Sequence, residues 1–148
     1  MTIDRTNPEK YPPNIQAILK RPAPGAVVLG QELLAVDVEQ GRVQVAYNTT
    51  DQLANRYGAI HGGMTAAMLD DVISLASGLT IEWGQITPTL EMKVSYIAQA
   101  KPGARIIAEA RTVRRGGTVM FLEADLKDES GKLIATASST VMVAQMKR

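Results

Sequence analysis

The 148-residue chain has no cysteine and one histidine, His61. Without cysteine there can be no disulfide, thiolate metal site, iron–sulfur cluster or Cys nucleophile. A single histidine excludes a multi-His zinc or iron centre, so no metal is expected. Catalysis is left to one imidazole, carboxylates, hydroxyls, backbone groups and Lys or Arg. Aromatic residues are 4% of the chain, with one Phe and one Trp, too few to build a base-stacking face. A net charge of +1 gives no general attraction to nucleic acid or an anionic membrane. No stretch approaches the ~18 consecutive apolar residues of a transmembrane helix. The N-terminal MTIDRTNPEKYPPN lacks the apolar region of a secretory signal. The expected partners therefore include neither nucleic acid nor membrane, and the expected location is the cytoplasm.

What is present suits one soluble domain: 45% apolar and 21% charged residues, enough for a single core. Residues 1–29 read as an N-terminal arm with a short helix, and residues 30–148 as the domain proper. The helix runs from Asn14, its expected cap, to Lys20, and Pro22, Pro24 and Gly25 end it. Leu33–Glu39 and Arg42–Tyr47 flank Gln40-Gly41 and predict a hairpin. Thr89–Tyr96 alternates, with Leu90, Met92, Val94 and Tyr96 on one face and Thr89, Glu91, Lys93 and Ser95 on the other. Ala104–Arg114 and Thr118–Lys127 are strand-like about Gly116-Gly117, a turn expected to use positive φ. Leu133–Val143 is the last strand.

Gly62–Thr80, GGMTAAMLDDVISLASGLT, is different, and its Ala, Met and Leu content predicts a helix. At 100° per residue Met64, Met68, Val72, Leu75 and Leu79 fall within roughly 80° of one another. Gly63, Ala66, Asp70, Ser74 and Ser77 form the opposite, small-residue face. Such a helix is expected to be covered on both sides. The order β-β-α-β-β-β-β has no crossover helix after each strand, so an antiparallel sheet curled around one central helix, an α+β fold, is expected. One helix cannot cover such a sheet and its edges, which predicts a homo-oligomer.

The densest chemistry lies in Asn55-Arg56-Tyr57-Gly58-Ala59-Ile60-His61-Gly62-Gly63, followed by Asp70. Gly62 and Gly63 open the helix, where unpaired N–H groups can bind an anion or a developing oxyanion. His61 is either a participant or only a cap or a satisfied core histidine. Asp70 lies on the small face, where a carboxylate is costly unless paired or shifted, which marks it as a functional candidate. Asp71 is the carboxylate open to solvation, although it sits about 60° from the centre of the bulky stripe.

H-G-G-x6-D, with Asn six positions before the His, resembles the hotdog-fold acyl-CoA thioesterases of the PaaI type, within the 4-hydroxybenzoyl-CoA thioesterase superfamily. Thr89–Tyr96, Asp125, Gly131-Lys132-Leu133 and the closing strand also fit, so the resemblance spans about Gly30 to Val143. It implies a hotdog fold and an acyl- or aryl-CoA substrate, with CoA belonging to the substrate and no separate cofactor. It places the catalytic carboxylate on Asp70, the backbone donor on Gly62, assisting polar groups on Asn55 and His61, and a water-placing hydroxyl on Thr89. The family often has Ser at that last position, and alternation puts Thr89 on the polar face of its strand. CoA is expected along Tyr96–Lys101 and the Arg114–Thr118 hairpin, giving Gly63, Tyr96, Lys101, Arg114, Arg115, Gly116 and Thr118 as binding residues. Residues 101–115 carry Lys101, Arg105, Arg111, Arg114 and Arg115 against Glu109 alone, and Arg suits phosphate.

In the implied reaction the Gly62 N–H polarises the thioester carbonyl. Asp70 is then either general base or nucleophile. The pocket is expected between two subunits of a tetramer built as a dimer of dimers. A Ser-His-Asp hydrolase is disfavoured because no G-x-S-x-G elbow exists. A hotdog dehydratase or hydratase and a non-catalytic acyl-CoA binding module remain alternatives, and the acyl specificity is open.

Overall fold

The computed structural model describes residues 1–147. Strands β1 (Gln31–Asp37), β2 (Arg42–Asn48), β4 (Thr89–Tyr96), β5 (Arg105–Arg115), β6 (Val119–Asp128) and β7 (Leu133–Met142) form one antiparallel sheet in the order β1-β2-β5-β6-β7-β4. Two short strands that the sequence pattern does not suggest, β3 (Gln85–Ile86) and β8 (Ala144–Gln145), pair separately. Helices are α1 (Pro13–Lys20), α2 (Pro24–Val28) and α3 (Gly62–Gly78). The sheet curls around α3, as expected.

The core follows from two periods meeting. Helix α3 buries Met68, Leu69, Val72, Ile73, Leu75 and Ala76. The strands bury alternate residues: Val43, Val45 and Tyr47 on β2, Ile106, Ala108 and Ala110 on β5, Met120, Leu122, Ala124 and Leu126 on β6. Alanines at 108, 110, 124, 135 and 137 leave room for the helix to lie close to the sheet. Each large apolar side chain so buried contributes about 1.5–3 kcal/mol. The buried helix face is wider than the predicted stripe and rotated toward Leu69 and Ile73. Met64 is 37% exposed at the first turn, and Gly63 and Ser74 are also open, whereas Ser77 is buried and its hydroxyl contacts that of Thr87 at 2.6 Å.

Strand β4 departs from simple alternation. Thr89 pairs with Val141 but Glu91 pairs with Thr140, so Leu90 is an extra residue in a β-bulge. Directly paired residues share a face, and Val141 is fully buried toward the helix. Thr89 therefore points inward with Met92 and Val94, not outward with Glu91 and Lys93 as alternation predicted. Pro88 precedes the bulge, and proline has no N–H to give a ladder.

Three local expectations are corrected. Asn14 does not cap α1: the cap position is Pro12, and the Asn14 side-chain amide instead donates to the Gly78 carbonyl at 2.7 Å, tying α1 to the end of α3. Pro24 begins α2 rather than only ending α1, since Pro suits the first helical turn. Gly116 and Gly117 do not use positive φ. Gly116 is instead required by close approach, because a Cβ there would lie 2.6 Å from the Val119 carbonyl oxygen.

Residues 1–29 lie against the body of the protein. Tyr11, Ile15, Ala26 and Leu29 are buried. Met1–Ile3 run along the outer edge of β1, with Ile3 N–H donating to Leu34 O at 2.9 Å and Val36 N–H to Met1 O at 3.0 Å.

Gly30 joins α2 to β1 with φ +70, and a Cβ there would sit 2.3 Å from the Asn48 carbonyl oxygen. Gly30→Ala should cost about 1–3 kcal/mol or more in urea unfolding. Gly25→Ala, with open space around the new methyl, should instead leave stability unchanged or raise it by under about 1 kcal/mol.

Candidate active site

The 55–61 loop is held by its own side chains before it enters α3. Asn55 Oδ1 accepts the Tyr57 and Ala59 N–H groups at 2.9 and 3.2 Å, leaving its side-chain NH2 available as donor. Ile60 N–H donates to Ala100 O and His61 N–H to Leu53 O, both at 2.8 Å. His61 caps the helix: its Nδ1 accepts the Gly63 N–H at 3.0 Å, so the neutral ring carries its proton on Nε2.

The remaining first-turn donors are also spent. Met64 and Thr65 N–H both donate to His61 O, at 2.9 and 3.0 Å. Among the described residues the Gly62 N–H finds no acceptor, so it is the one open donor at the positive end of α3. Tyr96 lies beside it on the inner face of β4, with its OH donating to Gly62 O at 3.1 Å. Gly63 stands next to the imidazole, and Lys101 is exposed just beyond Ala100 at the same end of the helix.

Asp70 is half-buried two turns further on, about 12 Å along the axis from Gly62. Thr89 Oγ1 donates to Asp70 Oδ1 at 2.7 Å. The bulge at Leu90 makes this contact possible by turning Thr89 toward the helix. Asp70 Oδ2 is left for a further partner. Along the outer side of α3 a groove of about 450 Å³ runs between Val28 and Leu29 near α2 and Met64, Ala67, Asp70 and Ser74 on α3.

Asp71 is not the solvated carboxylate that the helical wheel allowed. Its Oδ2 lies within hydrogen-bond distance of Tyr47 OH, at 2.6 Å, and accepts from the Gln31 side-chain amide. Burial pushes its carboxyl above the usual carboxylate range, the two hydrogen bonds pull it back, and the neighbouring Asp70 charge adds to the rise. Burial, with Asp71 beside it, likewise pushes the Tyr47 phenol well up. Sequence reasoning missed Tyr47 and Gln31, whose strand positions look like ordinary core and edge residues, and the groove wall from α2.

The structure divides the expected CoA-binding residues. Gly63, Tyr96 and Lys101 lie at the N-terminal end of α3. Arg114, Arg115, Gly116 and Thr118 lie at its C-terminal end: Arg115 Nε donates to Thr80 O at 2.8 Å, and Val143 N–H donates to Thr118 O at 2.8 Å. A 17-residue helix, about 25 Å long, separates the two groups within one chain. The basic run is also partly committed. Arg105 pairs with Glu32 at 2.7 Å and Arg111 with Glu123, while Lys101 and Arg114 make no salt bridge among the described residues. The described residues contain no cluster of three or more metal-ligating side chains. No helix is long and apolar enough to cross a membrane.

Comparison with known proteins agrees with this geometry. Residues 57–135 match the family model of the Thioesterase superfamily. Acyl-coenzyme A thioesterase 13 of Homo sapiens is 32% identical over 114 residues, 76% of this chain and 80% of that protein. The crystal structure of a phenylacetic acid degradation-related protein from Ralstonia eutropha JMP134 superposes with a TM-score of 0.78 and 38% identity, covering 84% of this chain and 96% of that one. A Streptococcus mutans UA159 protein bound to acetyl CoA shares the fold, with a TM-score of 0.71 and 24% identity over 80% of this chain and 91% of that one. With its antiparallel sheet wrapped on one long helix, its helix-opening His61-Gly62-Gly63 and this relatedness, the chain belongs to the thioesterase superfamily, as a hotdog-fold thioester hydrolase.

Proposed function

We propose that the protein hydrolyses acyl-CoA thioesters, with Asp70 as the reacting carboxylate and the Gly62 N–H as the donor to the carbonyl oxygen. The observation that carries the reading is the pairing of an oriented carboxylate with a single unspent amide donor. Thr89 holds Asp70 Oδ1, so Oδ2 meets the reactants. Asp70 either takes a proton from the attacking water or attacks the carbonyl carbon itself to give an anhydride that water opens. In both routes negative charge gathers on the carbonyl oxygen, the C–S bond breaks, and the CoA sulfur leaves to take a proton. The helix-end donor stabilises that oxygen. Asn55 NH2 and His61 Nε2–H are the further donors at that end. No cofactor enters, since CoA is part of the substrate.

Asp70 and Gly62 of one chain are too far apart to act on one carbonyl. The reading therefore takes Asp70 from one copy and Asn55, His61 and Gly62 from another, in a homo-oligomer that we take to be a tetramer formed by two dimers. The same pairing would bring an Arg114-bearing hairpin to the Lys101 end of a neighbour. The acetyl CoA held by the Streptococcus mutans protein of the same fold supports CoA as the carrier. The groove beside Asp70, walled by Val28, Leu29, Met64 and Ala67, supports an apolar acyl chain as the group released, and its size is within the usual range of ligand sites.

Asp70→Asn should lower kcat by about 10²–10⁴-fold if Asp70 is the base, and by more if it is the nucleophile. Gly62→Pro removes only the open N–H. Proline suits the first helical position, and His61 already has the extended φ −59, ψ 136 that a following proline favours. It should cost about 10²–10³-fold in kcat with the fold retained. Co-refolding the two inactive variants should restore activity, because mixed dimers contain one intact site. Failure to complement, or a monomer by light scattering, would defeat the shared site.

Arg114→Ala should raise KM for acyl-CoA several-fold with kcat little changed, since phosphate contacts are remote from the reacting bond. A loss confined to kcat would contradict the assignment. Ala67→Leu should narrow the groove and lower kcat/KM for long-chain acyl-CoA by about ten-fold or more relative to acetyl-CoA. Equal effects on both substrates would place the acyl chain elsewhere.

A further inference from the structure

Helix α3 carries two adjacent carboxyls, Asp70 and Asp71, and the mechanism uses only the first. Counting protons around the second shows an imbalance. The Tyr47 phenolic oxygen is buried, 2.9 Å from the Met68 carbonyl oxygen and 2.6 Å from Asp71 Oδ2. A phenol has one proton, and a carbonyl can only accept. With Asp71 ionised, two acceptors face that one proton, and one close oxygen pair is left without any. With a proton on Asp71 Oδ2, every contact is satisfied: Asp71 donates to Tyr47, Tyr47 donates to Met68 O, and the Gln31 amide donates to Oδ2.

We propose that Asp71 keeps its proton while Asp70 ionises, so that the adjacent pair carries one negative charge and the Tyr47–Gln31 cradle assigns it to Asp70. The proposal rests on the reading of Asp70 as the reacting carboxylate and makes Asp71 a positioning residue. The surroundings agree. Tyr47 faces Asp71 from β2 and is itself held neutral; Gln31 from β1 is uncharged; Asp70 on α3 is an anion and disfavours a second one. The neighbouring α2 segment offers only uncharged residues near this side of α3: Ala23, Gly25, Ala26, Val28 and Leu29. No cation contributes to the balance at Asp71. Two like charges on consecutive residues would otherwise repel each other across one turn of α3. A neutral Asp71 removes that penalty and anchors the turn of α3 that bears Asp70 to β2 and β1.

A carboxyl raised in the folded state holds its proton where the unfolded chain has lost it. Stability from this group is then undiminished at low pH and falls as pH rises from the ordinary carboxylate value through the folded one.

Asp71→Asn keeps the position neutral, with its NH2 donating to Tyr47 and, once the Gln31 amide turns over, to the Gln31 side-chain oxygen. The test compares the acid limb of kcat/KM against pH for wild type and Asp71→Asn on one thioester. The expected result is the same midpoint within about 0.2 units and kcat within a few-fold. A midpoint lower by about half a unit or more, as removal of a neighbouring negative charge would give, overturns the proposal. A second measurement needs neither turnover nor the variant: carbon-13 carboxyl NMR of aspartate-labelled wild type, in which Asp71 should titrate above the ordinary aspartate range. An Asp71 carboxyl that titrates within or below the ordinary aspartate range overturns the proposal even if Asp71→Asn does not fold. Full activity in Asp70→Asn would instead defeat the reading of Asp70, and the Asp71 titration by NMR would still decide the proton on Asp71.

Discussion

Seating Met68, Leu69, Val72, Ile73 and Ala76 against the sheet fixes α3 both in rotation and along its axis. From that constraint the rest of the site follows. Consecutive residues on a helix project 100° apart, so Asp70 and Asp71 leave opposite flanks of the buried stripe. Asp70 meets Thr89 on β4, and Asp71 meets Tyr47 on β2 and Gln31 on β1. Strands β1 and β4 are the two ends of the six-strand order, so the sheet must curl far enough for neighbouring side chains of one helix to reach both edges. Core packing thus separates the two carboxyls chemically, although they are adjacent in the chain.

Much of this was legible in the sequence because it depends on local pattern. The 3.6 period of residues 62–80 and the alternation of the strands define one long helix and six main strands. Asp70 could be picked out as a carboxylate on a small-residue face, and His61-Gly62-Gly63 as a helix opening. The inward turn of Thr89 was not legible, since a single inserted residue at Leu90 reverses parity and leaves composition unchanged. Pro88 was the available cue. Asn14 misled for a related reason. Its residue type suits a cap, but Pro12 and Pro13 shift the helix start, and the amide found a tertiary partner at Gly78. The Asp71 cradle was hidden because Tyr47 and Gln31 are far from it in sequence and ordinary in type.

The first turn of α3 illustrates how a helix end becomes selective. Four unpaired N–H groups would bind any anion diffusely. Here His61 takes one through its side chain and two through its carbonyl, leaving Gly62. A backbone donor held in a fixed direction needs no reorganisation when charge develops on an acceptor, so it favours an oxyanion over the planar carbonyl it came from.

Met1–Ile3 lie hydrogen-bonded along β1, while β4 has no strand on its outer side among the described residues. A sheet with two open ends can add copies head to tail, β1 onto β4, and such addition has no natural stopping point. Here residues 1–3 already take up hydrogen bonds on the outer side of β1. Residues 1–3 therefore deny the outer edge of β1 to any strand that would extend the sheet from that side.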